Sequence, residues 1–310
     1  MGRPRGAKGK LYRLPDGTLG PRRLAMATVA PVVVDASPSI TARPDVEVLA
    51  EIKEQFDVFG ILLDGVVAGK VRSLMSAGAP GVGKSHLVET KLERAKNAGT
   101  TQYRVVSGGI SAVGLYKLGW EMRHPGHVIV LDDSDDILEN DEGVSILKAL
   151  TDSGQYRHVH WLKESAALVD DDGNPIDTSY EYNGAMVFVT NRNVQQDIDA
   201  ARTKFAPHLK AISDRALYLD LLIHDRQQLG VWVNHIASST GIFPEQGITE
   251  EHSKEIMAYI NDHRTDLRDL SLRTIIKSCD LMKTAIDLSE YTRAPVNFAR
   301  LANTTLLRKS

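Results

Sequence analysis

The chain has 310 residues, 42% hydrophobic and 25% charged, enough to bury one large core or two modest ones. Its net charge of −3 is too small to dictate a partner, no apolar run reaches the length of a membrane span, and the single cysteine, Cys279, excludes an internal disulfide and fits a reducing compartment. Charge is unevenly placed: residues 1–23 carry Arg3, Arg5, Lys8, Lys10, Arg13, Arg22 and Arg23 against Asp16, a +6 tail on a −9 remainder.

Residues 1–43 read as tail and linker, dominated by Gly, Pro and Arg without sustained helical periodicity. The apolar run 24–34 follows a basic stretch, as in a secretion signal, but it starts late and is interrupted by Pro31. Leu14-Pro15-Asp16-Gly17-Thr18 is a turn signal compatible with a small hairpin. Residues 44–56 then read as an amphipathic helix with Val46, Leu49, Ile52 and Phe56 on one face, and 61–69 as a second, short helix. From there strand and helix alternate: strand 71–76, helix 86–96, strand 103–106, helix 111–123, the fully apolar strand 128–131, an acidic turn and helix 143–150. Residues 156–162, the turn Asp170-Asp171-Asp172-Gly173-Asn174-Pro175 and residues 178–182 suggest an inserted hairpin. Strands at 185–190 and 216–222 bring the core strands to five, and such alternation predicts a mainly parallel, three-layer α/β sheet. After Asp225 come helices at 227–238, 250–263, 272–286 and 296–307. The predicted organisation is a basic tail (1–43), an α/β domain (44–225) and an all-helical domain (226–310).

One motif outweighs the rest. Gly78-Ala79-Pro80-Gly81-Val82-Gly83-Lys84-Ser85 has the spacing of a nucleotide-binding P-loop, between a predicted strand and a predicted helix. Its glycines let successive backbone N–H groups wind around a β-phosphate at a helix N-terminus. Lys84 supplies a point charge for the β- and γ-phosphates, and the Ser85 hydroxyl is placed to ligate Mg²⁺. The nucleotide-contacting stretch is taken through His86, where the helix opens. His127-Val128-Ile129-Val130-Leu131-Asp132-Asp133 then has the form of a Walker B strand: an apolar run delivering Asp132 to Mg²⁺ at the strand end where ligands of open α/β sheets bind. Asp133 stands where a catalytic Glu usually orients the attacking water, and its shorter reach leaves a role for Asp135 or Asp136.

With these two motifs in place, Met186-Val187-Phe188-Val189-Thr190-Asn191 resembles the sensor 1 strand of AAA+ ATPases, with Asn191 at the tip. Arg215, just before the fifth strand, occupies the place of that family's arginine finger, which reaches the nucleotide of a neighbouring subunit. Ser271-Leu272-Arg273 looks like sensor 2, with Arg273 on the phosphates and Arg268 as the alternative, and Val58-Phe59-Gly60 resembles the apolar stretch over the adenine. These segments lie in AAA+ order over residues 45 to 290, and the overall layout looks like AAA-family ATPases encoded by bacteriophages. The resemblance implies a five-stranded sheet in the order 5-1-4-3-2, a C-terminal helical lid, and a ring or spiral (a hexamer in its commonest form) with Mg²⁺·ATP between subunits. A chain that uses ATP and carries one cysteine is expected in the cytoplasm of a bacterium or a phage-infected host.

What the ATPase would act on is less sharply written. Gly2-Arg3-Pro4-Arg5-Gly6 contains the core of an AT-hook, which lays Arg into a narrow minor groove, although a basic terminus can equally be a solvated tail. The first expectation is a DNA transaction such as replication, recombination or packaging, with residues 1–23 contributing affinity. Remodelling of a protein partner, or a weakly hydrolysing assembly switch prompted by Asp133, are the alternatives. Leu115-Tyr116-Lys117-Leu118-Gly119-Trp120 fits either an aromatic pore loop or a buried helix face, and His158, His160 and Trp161 fit either nucleic-acid contact or alternating strand packing.

Overall fold

The computed structural model describes residues 12–13, 19–20, 43–163, 168–170, 172–200, 206–221, 223 and 225–308. Near the N-terminus, β1 (Tyr12–Arg13) pairs antiparallel with β2 (Leu19–Gly20), Tyr12 opposite Gly20, so strands flank the predicted turn. The AT-hook core at residues 2–6, and most of the basic tail with it, lies outside the described residues.

Residues 43–310 form one compact unit. It opens with α1 (Asp45–Val67), a single helix where the sequence suggested two. Ile52, Phe59, Leu63 and Val66 make one continuous buried stripe through the expected break, and Gly60 sits inside it with only the Lys91 side chain near its missing Cβ. Then follow β3 (Ser73–Gly78), α2 (Lys84–Asn97), β4 (Gln102–Ser107), α3 (Ala112–Glu121), β5 (His127–Asp132), a 3₁₀ turn (Asp135–Glu139) and α4 (Asp141–Leu150). An antiparallel insert, β6 (His158–His160) with β7 (Ser179–Glu181), precedes β8 (Ala185–Thr190). Two helices not foreseen from the pattern, α5 (Val194–Ala200) and α6 (Ala206–Ser213), lead to β9 (Leu217–Leu221). The chain ends in helices: α7 (Arg226–Ser239), α8 (Ile242–Glu245), α9 (Glu250–Asp262), α10 (Leu272–Thr292) and α11 (Phe298–Thr305).

The sheet is parallel throughout, ordered β4-β5-β8-β3-β9. Numbered over the five core strands and read from the β9 edge, this is 5-1-4-3-2, the expected order. β3 and β8 are buried along their whole length because helices cover both faces, which is why they read as unbroken apolar runs. Side-chain alternation divides the core in two. Met75, Ile129, Leu131, Met186 and Phe188 face α3, α4 and α6; Leu74, Val128, Val130, Val187 and Val189 face α1 and α2. The terminal helices bury a cluster of their own around Ile256, Ile260, Ile275, Cys279 and Met282.

The insert packs on α3 rather than standing free. Leu115 and Tyr116 are fully buried, so this segment is a core helix face and not an exposed pore loop. The Tyr180 hydroxyl donates to the Tyr116 carbonyl at 2.9 Å, while His158 and His160 alternate outward from buried Val159. Trp161 is buried with the insert's inner face. Gly119 makes the close approach possible: a Cβ there would lie 2.2 Å from the Tyr180 hydroxyl and 3.0 Å from Leu150 Cδ2. Gly119→Ala is therefore expected to cost about 1–3 kcal/mol in urea unfolding, with part of the loss recovered in Gly119→Ala/Tyr180→Phe. Wild-type stability of the single variant would remove the insert's seating on α3.

Candidate functional site

Parallel register decides where the site forms. Ala77 lies opposite Thr190 and Asp132 opposite Val189, so β3, β5 and β8 end along one edge of the sheet. That edge receives the loop 78–83 from β3, Asp132 and Asp133 from β5, and Asn191 from β8. Ligand sites of open parallel sheets form at such carboxyl ends.

The loop needs its glycines for backbone reasons. Gly81 and Gly83 have φ of 71° and 104°, and Gly78, at 151°, would place a Cβ 2.9 Å from the Leu221 carbonyl. Gly83 is the N-cap of α2, so the loop delivers its amides to a helix N-terminus, the favoured position for an anion. Ala79 and Val82 turn towards an apolar cluster, Pro80 is exposed, and His86 lies exposed in the first turn of α2.

Lys84 is only 4% exposed. Its Nζ donates to the carbonyls of Gly78 and Ala79, both at 2.8 Å, and to Asn191 Oδ1 at 2.9 Å, a residue 107 positions away. Ser85 Oγ donates to Asp132 Oδ1 at 2.9 Å, and Asn191 Nδ2 donates to Asp133 Oδ2 at 2.6 Å. Asp133 itself adopts a positive φ of 51° and donates its backbone N–H to Val189 O at 2.9 Å, which turns its carboxylate towards Asn191. Burial draws Lys84 down to about 8 against the opposing pull of Asp133 and Asp132. Burial likewise raises Asp132, with the Ser85 hydrogen bond working the other way. The neighbouring hydroxyl and carboxylate are hard oxygen donors suited to Mg²⁺, which binds through one or two carboxylates plus water and phosphate.

The cleft is lined by Gly81, Gly83, Lys84, Ser85, Asp133 and Asn191 and closed by Leu272, Arg273 and Ile276 of α10. Arg273 thus reaches the cleft, whereas Arg268 donates to the Leu307 carbonyl at 2.7 Å and ties the segment after α11 to the loop before α10. Arg215 lies outside the cleft, its guanidinium donating to Ala211 O at 2.7 Å. The expectation for Val58-Phe59-Gly60 needs correction. Phe59 is fully buried against Leu63, Leu74 and Val88 in mid-helix, so it offers no face to a base. The part of α1 that reaches the P-loop is its first half, where Val48, Ile52 and Phe56 cluster with Ala79, Val82 and Trp232.

Sequence reasoning missed three contacts here. Asp135, raised by burial, accepts from Thr190 Oγ1 at 3.0 Å and so bonds to the residue before Asn191; the acidic turn marked it as a helper of Asp133, and nothing in the sequence paired it with β8. Trp232 donates its indole N–H to Val82 O at 2.8 Å, and the Leu272 N–H bonds Gly81 O at 2.9 Å. Neither of these has a sequence signature.

Parallel order, P-loop and carboxylate strand together define a three-layer P-loop NTPase fold. In sequence, the chain is 32% identical over 233 residues to an uncharacterised 36.7 kDa protein from the nrdC–mobD intergenic region of Enterobacteria phage T4, an alignment covering 75% of this chain and 70% of that one. The chain belongs to the family of this phage protein. No family model matches it. Among solved structures, domain III of the replication initiation protein DnaA from Thermotoga maritima aligns with a TM-score of 0.46 at 12% identity, covering 82% of this chain and 92% of that one. The Aeropyrum pernix Orc1 protein, solved in complex with DNA, aligns at 0.46 and 15%, covering 84% and 66%. At these scores neither likeness carries weight for activity, and the fold assignment rests on the sheet and loop described above.

The lowered Lys84 fixes a proton balance. With burial drawing it down to about 8, Lys84 loses its proton readily in mildly alkaline solution, and a triphosphate in the cleft would favour the charged form. Nucleotide binding at about pH 8.5 is therefore expected to take up a proton, and affinity to fall as pH rises through 8. Calorimetry in buffers of different ionisation enthalpy measures this directly. A binding enthalpy independent of buffer would place Lys84 at its ordinary value.

Proposed function

We propose that this protein is an oligomeric ATPase of the AAA+ type that binds Mg²⁺·ATP in the cleft between the P-loop and α10 and hydrolyses it to drive a DNA transaction. The observation that carries the reading is the convergence of buried Lys84, the Ser85–Asp132 pair and the Asn191–Asp133 pair at one sheet edge. In this scheme the amides of residues 78–86 hold the phosphates, and Lys84 neutralises charge on the β- and γ-phosphates. Ser85 and Asp132 are the residues that would hold Mg²⁺, whose charge would stabilise the leaving diphosphate. Asp133, steadied by Asn191, orients water on the γ-phosphorus and accepts its proton as the bond to the bridging oxygen breaks. Arg273 brings a second cation from α10, and Arg215 is assigned to the nucleotide of the adjoining subunit.

The helical part, 226–310, acts as a lid over the cleft. Coupling to DNA is assigned to the +6 tail at residues 1–23, on charge alone. A second reading has one specific observation in its favour: Asp133 replaces a longer carboxylate and is already bonded to Asn191 at 2.6 Å, which suits an ATP-dependent assembly switch with slow turnover.

Lys84→Ala is expected to lower ATP turnover about 10²–10³-fold. Arg215→Ala should retain nucleotide binding and lose hydrolysis, and mixing it with Asp133→Asn should restore part of the activity only if Arg215 acts between subunits. Steady-state ATPase assays with and without DNA, on the full chain and on a chain lacking residues 1–23, test the DNA role. Stimulation that falls with the tail supports it; equal rates with and without DNA would redirect the search to a protein partner.

A further inference from the structure

The P-loop is held from outside by the helical region at two consecutive carbonyls. Leu272 N–H at the start of α10 bonds Gly81 O at 2.9 Å, and the Trp232 indole N–H on α7 bonds Val82 O at 2.8 Å. Both anchored peptides lie in the stretch bounded by Gly81 and Gly83 at positive φ. A trans peptide is a rigid plane in which C=O and N–H point in opposite directions. Anchoring Gly81 O therefore sets the direction of the Val82 N–H, and anchoring Val82 O sets that of the Gly83 N–H. These amides belong to the stretch that would wrap a phosphate.

The Trp232 anchor is itself well fixed. Its ring stacks on Phe56 of α1 at 4.5 Å and 19°, and the residue is 5% exposed. The helix carrying it begins in a capping box, with the Asp225 side chain accepting from Gln228 N at 2.7 Å and the Gln228 side chain accepting from Asp225 N at 3.2 Å. At the neighbouring anchor the fit is close enough that a Cβ on Gly81 would lie 2.8 Å from Ser271 Cβ.

We infer that Trp232 is a positioning residue of the phosphate-binding loop, acting through its indole N–H on the Val82 carbonyl to aim the loop amides. This deepens the nucleotide-binding reading above and rests on it for the affinity it assigns, while the geometry it assigns to the loop does not.

Trp232→Phe keeps an aromatic ring on Phe56 and removes only the donor. Hydrogen exchange without nucleotide is expected to quicken about fivefold at the amides of residues 82–85, the factor for one lost hydrogen bond, with β5 and β8 unchanged. ADP affinity should weaken by a similar factor, with KM for ATP rising and kcat at saturation retained. Unchanged exchange in the loop, or equal acceleration throughout the chain, would overturn the inference, the second because it marks a packing role only. Local acceleration in the variant, alongside a wild-type protein that binds no ADP, would sink the nucleotide-binding reading and leave the loop-positioning role standing. Local acceleration with unchanged ADP affinity in a chain that does bind would overturn the assigned effect on phosphate. Should Trp232→Phe fail to fold, Phe56→Leu, which removes the stacking partner and leaves the donor, is expected to loosen the same amides; no change there would overturn the inference.

Discussion

A buried ammonium organises this molecule. Lys84 lies at the junction of the P-loop, β5 and β8, nearly sealed from water, and a cation in that position is costly unless its donors are met. The carbonyls of Gly78 and Ala79 and the amide oxygen of Asn191 meet them, and Asp132 and Asp133 lie close enough to favour its charge. Each partner depends on a different element being in register. A one-residue slip of β8 against β3 would move Asn191 away from Lys84 and exchange the side chains that β8 sends to the two halves of the core. The polar site and the apolar core are thus fixed by the same pairing.

The second constraint is the reach of the terminal helices back to the loop. Their cluster is separate from the sheet's cores, which favours treating them as a distinct part, yet residues 43–310 form one compact unit. Contact is made by α7 on α1 and by the start of α10 on the P-loop. In the proposed function this arrangement matters mechanically. A lid bonded directly to the phosphate-binding loop cannot shift without altering the loop, so occupancy of the cleft and position of the helices become one equilibrium.

Much of the fold was legible in the chain. Five apolar segments separated by helical patterns predicted a parallel sheet, and the P-loop glycines stand at backbone angles that explain their spacing. Other features were not. The two helices expected before residue 70 are one, because Gly60 costs only about 1 kcal/mol in a helix whose stripe is otherwise continuous. Phe59 read as a cover for adenine and is core, since an apolar residue beside a glycine carries no mark of which way it faces. The segment around Tyr116 could be read as pore loop or helix, and burial against Tyr180 decides for the helix.

The sequence by itself determined the local chemistry: a glycine-rich loop that must wind tightly, a lysine and serine at its end, an apolar strand closing on a carboxylate, and a strand tipped with Asn191. These rest on short-range spacing, and short-range spacing is what a linear pattern records. Tertiary structure decided which of the candidate residues meet. Asn191 reaches Lys84 across 107 positions, Trp232 reaches Val82 across 150, Arg273 rather than Arg268 lines the cleft, and Asp135 engages Thr190. Such contacts depend on strand order, register and the docking of one helix on another, which arise from burial summed over the whole chain and leave no mark at any single position.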